Sequence, residues 1–473
     1  MSSSYKRADD RTRPNLQPYP GLLLALYLFE AAGLFLAIGL YKYVDRLTGL
    51  TIRQMIYLIA PMGVLLVSGS YVVHVYRTCK RTDRRQFGLT AATNLVAVVA
   101  LLVVGEIVVR QFSVRTPLGL AVAGTLLLPK DWDDVVARNR ESLKLEKTYW
   151  ISDNLLGWTV GPSRRSENGL YLSNGEGLRS QRSDVTYATH PAPNRIAIVG
   201  DSFTFGLEGP FEDSWGYQLE RSLGPQYAVL NFGVDGYGVD QAYLRYYRDA
   251  RPFHPAITIL GFIEHDLVRT MAVYTFISFE WNFPFSKPRF VFEGGKLELL
   301  NTPLISPSQI LSRQSVTELP YIEYDPGYHP IEWQKRVYHG SRLVRLLLSR
   351  FPRYPLLRAD LGDEAVIHTN TELLLNFVRL ASSEGTRSLV VYFPSRGDFQ
   401  GQSRFLKGRV LSALRESGVN SLDLTSCVRQ AGPEGAFIAG GGHYSAAGNA
   451  AVARCLLPMM SRLGRDSGAL PLP

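Results

Sequence analysis

Long apolar segments crowd the first quarter of the chain, and short apolar runs alternate with polar stretches in the rest. The long segments cover residues 21–41, 55–76 and 89–109, and their charged side chains are Glu30 and Glu106. Each has about the 20 residues that a helix needs to cross a bilayer. Three in succession, with no A-x-A-like site after the first, do not fit a cleaved signal peptide. We therefore predict a membrane anchor over residues 1–110 with three transmembrane helices.

Basic residues beside these segments indicate how the anchor is oriented, because cytoplasmic loops carry an excess of lysine and arginine. The N-terminal tail and the second connection are richer in them than the first connection, which has Lys42, Arg46 and Arg53. The tail and the second connection therefore lie in the cytoplasm. Three crossings then place everything after about residue 110 outside, in the periplasm or at the cell surface. The basic residues on the cytoplasmic side are Lys6, Arg7, Arg11, Arg13, Arg77, Lys80, Arg81, Arg84 and Arg85.

Intramembrane carboxylates are costly in lipid and need a reason. Glu106 lies near the end of its segment and can approach the interface. Glu30 lies nearer to the middle of its span, which indicates either a contact between helices or the binding of a partner. Three crossings without an internal repeat do not resemble a transporter.

Residues 111–194 are predicted to be a connector and an irregular lead-in. The apolar run 118–128 lies between Pro117 and Pro129 and is too short to span. It is expected to pack on the domain or to lie at the interface; a crossing there would invert the topology. A short polar helix is predicted over 131–145. Residues 151–194 are rich in Gly, Ser, Asn and Arg and show little periodicity.

From residue 195 apolar strands alternate with helices, the pattern of a parallel sheet. This predicts an α/β domain over 195–465 with a five-stranded parallel sheet. The rhythm stops over about 270–365, where Gly294-Gly295 indicates a hairpin. Such a long insertion is typically a lid or a substrate wall. Strands are predicted at 195–200, 227–232, 256–262, 388–393 and 421–424, and helices at 214–222, 240–250, 371–384 and 445–463, the last with Ser445 as its N-cap.

The formal net charge of +9 over 473 residues comes partly from the membrane flanks. Without a basic helix or an aromatic-interleaved basic patch we expect no nucleic-acid partner. The three cysteines have no spacing typical of a zinc site, and we expect neither a metal nor a cofactor. Cys79 falls in a cytoplasmic connection where thiols stay reduced, whereas Cys427 and Cys455 lie outside, where a disulfide can form. Their spacing leaves open whether they pair.

Candidate chemistry lies in four stretches that follow predicted strands or precede the last helix. The first, RIAIVGDSFTFG (195–206), places Ser202 just past the end of a strand, where open α/β sheets hold their ligands. Glycines at 233–238 follow the second strand and can leave backbone N–H groups free to donate. Residues 261–266 (GFIEHD) follow the third strand. His443 lies in the Gly-rich loop GGGHYSAAGN (440–449).

These four stretches resemble the blocks of the SGNH hydrolases, also called GDSL esterases, and the resemblance covers about residues 150–463. The lead-in, with 156–158 (LGW) and 174–179 (NGEGLR), is similar to membrane-tethered bacterial members. The resemblance implies a flavodoxin-like, three-layer α/β/α sandwich. It implies that Ser202 is the nucleophile and an oxyanion donor, that Gly236 gives a second backbone N–H, and that His443 is the general base.

Two positions depart from the family pattern. The asparagine that completes the family's oxyanion hole is replaced by His265, whose neutral imidazole can still donate one N–H. The aspartate two or three residues before the histidine is replaced by Gly441 or Gly440. Ser202 and His443 can then work as a dyad with a backbone carbonyl holding the imidazole. Substitute carboxylates that the sequence offers are Glu434, Asp423 and Asp266.

Two functions follow from these residues. The first is a membrane-anchored, extracytoplasmic serine esterase or O-acyltransferase that acts on ester-linked acyl groups. The resemblance suggests acyl groups on cell-envelope carbohydrate as the substrate. The alternative is a catalytically weakened or inactive module that binds carbohydrate or a protein partner, because two site positions are altered. The sequence does not distinguish hydrolysis from transfer, and it does not give the acyl group, the acceptor or the oligomeric state.

Overall fold

A computed structural model describes residues 20–43, 50, 52–78, 84–144, 149–279, 283–353, 358–401, 405–430 and 432–465. The chain forms two compact units. The first comprises Met1–Asp131 and His329–Leu356, and the second comprises Trp132–Tyr328 and Leu357–Pro473. Cys79 and the basic residues of the N-terminal tail lie outside the described residues.

The first unit contains three helices long and apolar enough to cross a membrane, as the sequence predicts. They span Pro20–Tyr43, Ile52–Thr78 and Arg84–Gln111. Large apolar side chains point outward along them, and Leu101, for example, is 72% exposed. Such a surface is unsuited to water and suits lipid.

Glu30 makes a contact between helices, one of the two roles predicted for it. Its Oε1 accepts a hydrogen bond of 2.7 Å from the side-chain amide of Asn94, which is buried on the third helix. One polar group of each helix thus finds its hydrogen-bond partner on the other helix, within an apolar surrounding.

The short apolar run 118–128 does not form a helix. It folds with its neighbours into a three-stranded antiparallel sheet of Ser113–Thr116, Gly119–Val122 and Thr125–Leu126. This run therefore adds no fourth membrane-spanning helix to the three in the described part of the chain.

A helix from the insertion, Arg342–Arg350, belongs to this first unit. The Glu106 carboxylate accepts hydrogen bonds from the backbone N–H groups of Arg342 and Leu343, at 3.0 and 2.8 Å. These are among the N–H groups that a helix start leaves without an intrahelical partner. Leu343 and Leu346 pack against a small core of Val109, Val122 and Leu127.

The second unit is built on a five-stranded parallel sheet. Numbered along the chain, its strands lie in the order 2-1-3-4-5, which is the flavodoxin-like order. The predicted fold class is therefore confirmed. In chain order the strands are Asn194–Val199, Tyr227–Asn231, Ile257–Phe262, Arg387–Tyr392 and Ser421–Asp423.

Both faces of the sheet are covered, because successive side chains of each buried strand point to opposite sides. Ala197 and Val199 belong to one hydrophobic cluster, and Ile196 and Ile198 belong to another. On the first face lie the helices Val239–Arg245, Asp363–Ser383 and Leu406–Glu416, and on the second lie Trp215–Leu223 and Ala446–Arg465.

Two predictions about local structure were wrong. Residues 151–194 are not wholly irregular: they contain the antiparallel pairs Trp150–Asp153 with Gly157–Val160 and Leu172–Ser173 with Arg179–Ser180. These strands are too short to show periodicity. The helix predicted from residue 371 begins at Asp363, because its first two turns are largely polar and hid its start.

Other features of the second unit follow the sequence. The predicted hairpin joins Phe290–Glu293 and Lys296–Leu299 through Gly294 and Gly295, both with positive φ. The Ser445 side chain accepts a hydrogen bond from Gly448 N at the start of the last helix.

The remaining helical segments are short, apart from Trp132–Lys144. In the first unit they are Pro330–Glu332 and Val337–Gly340. In the second unit they are Trp132–Lys144, Ser202–Phe205, Phe211–Asp213, Tyr246–Ala250, Arg251–Phe253, Glu264–Arg269, Thr275–Ser278, Pro307–Leu311, Val316–Glu318, Ile322–Tyr324, Ala359–Leu361, Arg396–Phe399, Thr425–Gln430 and Pro433–Ala436.

The pairing that the sequence left open is present. Cys427 and Cys455 form a disulfide with a Cα–Cα distance of 6.3 Å. It joins the helix Thr425–Gln430 to the last helix of the chain.

Candidate active site

Ser202 begins a single helical turn directly after the first strand of the sheet. Asp201 caps that turn by accepting a hydrogen bond of 3.0 Å from Phe203 N. The turn is tight: a Cβ added at Gly200 would lie 2.2 Å from Thr204 Oγ1 and 2.5 Å from the carbonyl oxygen of Gly261. Glycine at this position therefore lets the serine emerge at the edge of the sheet.

His443 meets Ser202 although 241 residues separate them in sequence. The Nε2 atom of His443 lies 2.9 Å from Ser202 Oγ. The Phe203 ring packs against the imidazole, with ring centroids 5.1 Å apart. The structure thus brings together the two side chains for which the sequence suggests nucleophile and base roles.

A cavity of about 370 Å³ opens onto this pair. His265 lines it, at the position where the family pattern has asparagine, and its side chain is exposed. The other lining residues are Ser202, Phe203, Ile263, Glu264, Val268, Arg269, Ser395, Arg396, Gly397, Gly442 and His443.

Gly236, predicted as an oxyanion donor, lines a second cavity of about 230 Å³ instead. This cavity is faced by the aromatic rings of Trp150, Trp158 and Phe283, and its wall also includes Asp235. The Trp158 indole N–H donates to the Asp235 carbonyl over 2.8 Å, which holds the loop that carries Gly236.

Two of the three carboxylates offered by the sequence make their contacts away from His443. Asp423 accepts a hydrogen bond of 2.8 Å from Thr425 N at the start of a helix. Asp266 accepts from Ile263 N at 2.9 Å and from Arg269 at 2.7 Å. The side chain of Glu434 lies outside the part of the chain that the structure describes.

Asp266, Asp201 and Arg269 form a charged group next to Ser202 in which both carboxyl groups are buried. Burial raises the pKa of Asp266 well above its ordinary range, and the nearby Asp201 carboxylate adds to that effect. Burial also raises the pKa of Asp201, while the Arg269 guanidinium opposes the shift. Arg269 lies 3.6 Å from Asp201 Oδ2 and 2.7 Å from Asp266 Oδ1. Burial and the proximity of the two carboxyl groups thus raise the pKa of Asp266, and the charge of Arg269, which lies close to both groups, opposes the rise.

A carboxylate that the sequence did not single out, that of Glu208, lies close to His443 Nδ1. Its Oε2 lies 3.3 Å from His443 Nδ1 and 3.4 Å from the backbone N of the same residue. No motif marks position 208, which lies six residues after Ser202. The sequence gives only an indirect indication of Glu208. The glycines before His443 leave space near the imidazole that a carboxylate from another part of the chain can fill.

The loop with Glu208 is held from the lead-in. Arg179 is 1% exposed and donates hydrogen bonds to the carbonyl oxygens of Phe205, Gly206 and Gly209, the last over 2.6 Å. Burial lowers the pKa of Arg179 to about 10, so the guanidinium stays charged at neutral pH. The lead-in stretch 174–179 therefore fixes the chain just after the serine.

A second basic residue holds the histidine loop. Arg396 donates to the carbonyl oxygens of Ile438 and Gly441 over 2.9 and 3.0 Å. Its own short helix is held by Asp398, which accepts from the Ser395 backbone N–H and from Lys407. Both loops of the site are thus fixed by arginine–carbonyl contacts.

No protein-family model matches this sequence, and a comparison with curated proteins found no match. Among solved structures, TesA is 14% identical, with 57% of this chain and 99% of that chain covered at a TM-score of 0.32. A lipolytic protein of the G-D-S-L family from Veillonella parvula is 13% identical, with 57% and 98% covered at 0.30. A carbohydrate acetylesterase family member from Sinorhizobium meliloti is 14% identical, with 57% and 98% covered at 0.30. These likenesses are too distant to assign an activity, so the fold class rests on the strand order of this chain.

Proposed function

We propose that the chain is a membrane-anchored serine esterase or O-acyltransferase of the SGNH type, with its site outside the cytoplasm. The observation that carries the proposal is the 2.9 Å contact between Ser202 Oγ and His443 Nε2 at the wall of an open cavity. A nucleophile and a base within hydrogen-bond reach, at the carboxyl edge of a parallel sheet, are the parts that acyl transfer needs.

In the first half-reaction Ser202 Oγ attacks the ester carbonyl carbon, and its proton passes to His443 Nε2. The tetrahedral intermediate collapses as the carbon–oxygen bond to the alcohol breaks. The imidazolium returns the proton to the departing alcohol oxygen, and the acyl group stays on Ser202.

In the second half-reaction a water or an acceptor hydroxyl takes the place of the alcohol. His443 Nε2 removes its proton while its oxygen attacks the acyl carbon. The proton then returns to Ser202 Oγ, and the product is a carboxylic acid or a new ester. Hydrolysis and transfer therefore differ only in the acceptor.

The negative oxygen of each tetrahedral intermediate needs hydrogen-bond donors. We assign this role to the backbone N–H of Ser202, to an imidazole N–H of His265 and to the backbone N–H of Gly236. His265 is supported by its place in the same cavity as Ser202 and His443. Gly236 is supported by the family resemblance alone, because it lines the second cavity.

For the substrate we propose ester-linked acyl groups on cell-envelope carbohydrate. The anchor would keep the site near that material, and the aromatic walls of the second cavity suit the apolar faces of sugar rings. The proposal requires no metal, and the described residues contain no group of three or more His, Cys, Asp or Glu suited to holding one.

Labelling with a fluorophosphonate probe tests this function. The full chain in detergent should be labelled, and Ser202→Ala should not. A folded wild-type chain that takes up no label but binds envelope saccharide would instead favour the non-catalytic module, an alternative motivated by His265 and Gly441 at altered positions.

A further inference from the structure

We propose that Glu208 is the positioning residue for His443, so that the site is a triad of Ser202, His443 and Glu208. This inference rests on the esterase proposal and adds to it a residue outside the family pattern. The family's carboxylate comes from just before the histidine, whereas this one comes from just after the serine.

The first support is the arrangement around the imidazole. Ser202 Oγ lies 2.9 Å from Nε2, and Glu208 Oε2 lies 3.3 Å from Nδ1, so the two groups face opposite nitrogens of one ring. The contact at Nδ1 is a close approach without hydrogen-bond geometry, and catalytic hydrogen bonds often tighten only when substrate binds. A carboxylate can only accept hydrogen bonds, so it favours the tautomer with its proton on Nδ1. That tautomer leaves the Nε2 lone pair free to take the serine proton, and the carboxylate also stabilises the imidazolium that forms.

The second support is the space left by glycine. A Cβ added at Gly441 would lie 2.5 Å from Glu208 Oε2, closer than a real Cβ approaches any atom. The Glu208 carboxylate therefore fills the place where a side chain two residues before His443 would start. We therefore infer that Glu208 takes the place of the aspartate that the family has before the histidine.

The third support is the backbone at Glu208. Its φ is +67°, in the left-handed region that residues with a side chain rarely adopt. The Glu208 N–H donates to the Tyr171 hydroxyl over 3.0 Å, and Arg179 holds the carbonyl oxygens of Gly206 and Gly209 on either side. Backbone conformations of this disfavoured kind, kept in place by surrounding contacts, are found most often in residues of functional sites. The backbone of Glu208 therefore supports a role for its side chain beside His443.

The exposure of the side chain sets the size of the expected effect. The Glu208 side chain is 38% exposed, so water can partly replace it when it is removed. Disabling a buried triad aspartate lowers kcat by about 10⁴-fold, and we expect a smaller loss here, about 10²-fold.

The test measures kcat and KM for p-nitrophenyl acetate, and the fluorophosphonate labelling rate, for the full chain in detergent. Glu208→Gln should lower kcat and the labelling rate about 10²-fold with little change in KM. The exposed neighbour Glu212 supplies the matched control, and Glu212→Gln should match wild type. Thermal unfolding of each variant shows whether it is folded.

A rescue variant separates positioning from mere structure. Glu208→Ala opens the space beside residue 441, and adding Gly441→Asp supplies a carboxylate from the family's side. The kcat of the double variant should be about tenfold higher than that of Glu208→Ala alone. If wild type is labelled and Glu208→Gln is labelled as fast as wild type, the triad is wrong but the esterase proposal stands. The same conclusion follows if Gly441→Asp does not raise the kcat of Glu208→Ala. If wild type is not labelled at Ser202, both proposals fall.

Discussion

His443 Nε2 lies 2.9 Å from Ser202 Oγ, although 241 residues separate the two in sequence. The parallel sheet makes this possible, because the loop after its first strand and the loop before its last helix reach the same edge. The first prediction concerns this pair. Ser202→Ala and His443→Ala should each lower kcat by about 10⁵- to 10⁶-fold, and the double variant should be no slower, because the two groups act as a unit. Initial rates on p-nitrophenyl acetate check it; additive losses would contradict it.

The second prediction concerns the oxyanion site. His265→Ala should lower kcat about 10²-fold, as expected when one donor to the developing oxyanion is lost, while KM changes little. His265→Asn should keep most of the activity because an amide can donate in the same direction. His368, exposed on the helix Asp363–Ser383, supplies the control, and His368→Ala should match wild type. Equal rates for wild type and His265→Ala would show that the His265 imidazole does not stabilise the oxyanion.

The third prediction concerns Arg179. Arg179→Met leaves three carbonyl oxygens without their charged donor, and we expect the free energy of unfolding to fall by about 2–4 kcal/mol. The activity of the folded fraction should also fall, because the loop with Glu208 loses its support. Thermal unfolding in detergent and rate per folded molecule check the two effects. Arg182→Met, at an exposed ion pair with Asp184, should leave the free energy of unfolding nearly unchanged, because solvent screens such a pair. A similar loss for both variants would count against the assigned role.

The fourth prediction concerns pH. Burial opposes ionisation of Asp398, but hydrogen bonds from Lys407 and Tyr392 outweigh it and lower the pKa of this carboxyl. Its contribution to stability is therefore present above the unfolded pKa of about 3.9 and is lost as the pH falls through the lower folded value. Lys407→Met should lower the unfolding temperature at pH 7 and less so near pH 3. Lys335→Met, at an exposed pair with Asp131, should show little effect at either pH.

The fifth prediction concerns orientation in the membrane. In a Cys79→Ser background, Ser222→Cys on the exposed surface of the second unit should react with a membrane-impermeant maleimide in intact spheroplasts. Cys79 in the wild-type chain should react only after the membrane is opened. The disulfide should keep Cys427 and Cys455 unreactive until a reductant is added. If wild-type Cys79 reacts in intact spheroplasts and the Ser222→Cys variant does not, the proposed topology is wrong.

The fold was largely predictable because buried parallel strands are continuous apolar runs. The run at 195–200 appears as Asn194–Val199 and the run at 388–393 as Arg387–Tyr392, each within a residue or so. The pairs of short strands in 151–194 escaped because strands of two to four residues show no periodicity. Tertiary contacts, such as those of Arg179, order that stretch instead.

The site was predictable only where a motif marks it. Ser202 and His443 follow recognisable glycine-rich patterns, and the structure brings them together. Glu208 could not be found in this way, because its place depends on the space at Gly441 and on a left-handed backbone rather than on spacing. The role of Gly236 as an oxyanion donor stays a prediction from the pattern, and the residue lines the second cavity.

The insertion between the third and fourth sheet strands contributes the helix Arg342–Arg350 to the unit of the membrane helices. Anyone preparing a soluble fragment by cutting the chain near residue 131 would therefore remove Val109, Val122 and Leu127 while keeping Leu343 and Leu346. Those leucines would then face water, and the fragment would tend to aggregate. A useful truncation would also replace residues 329–356 with a short polar linker.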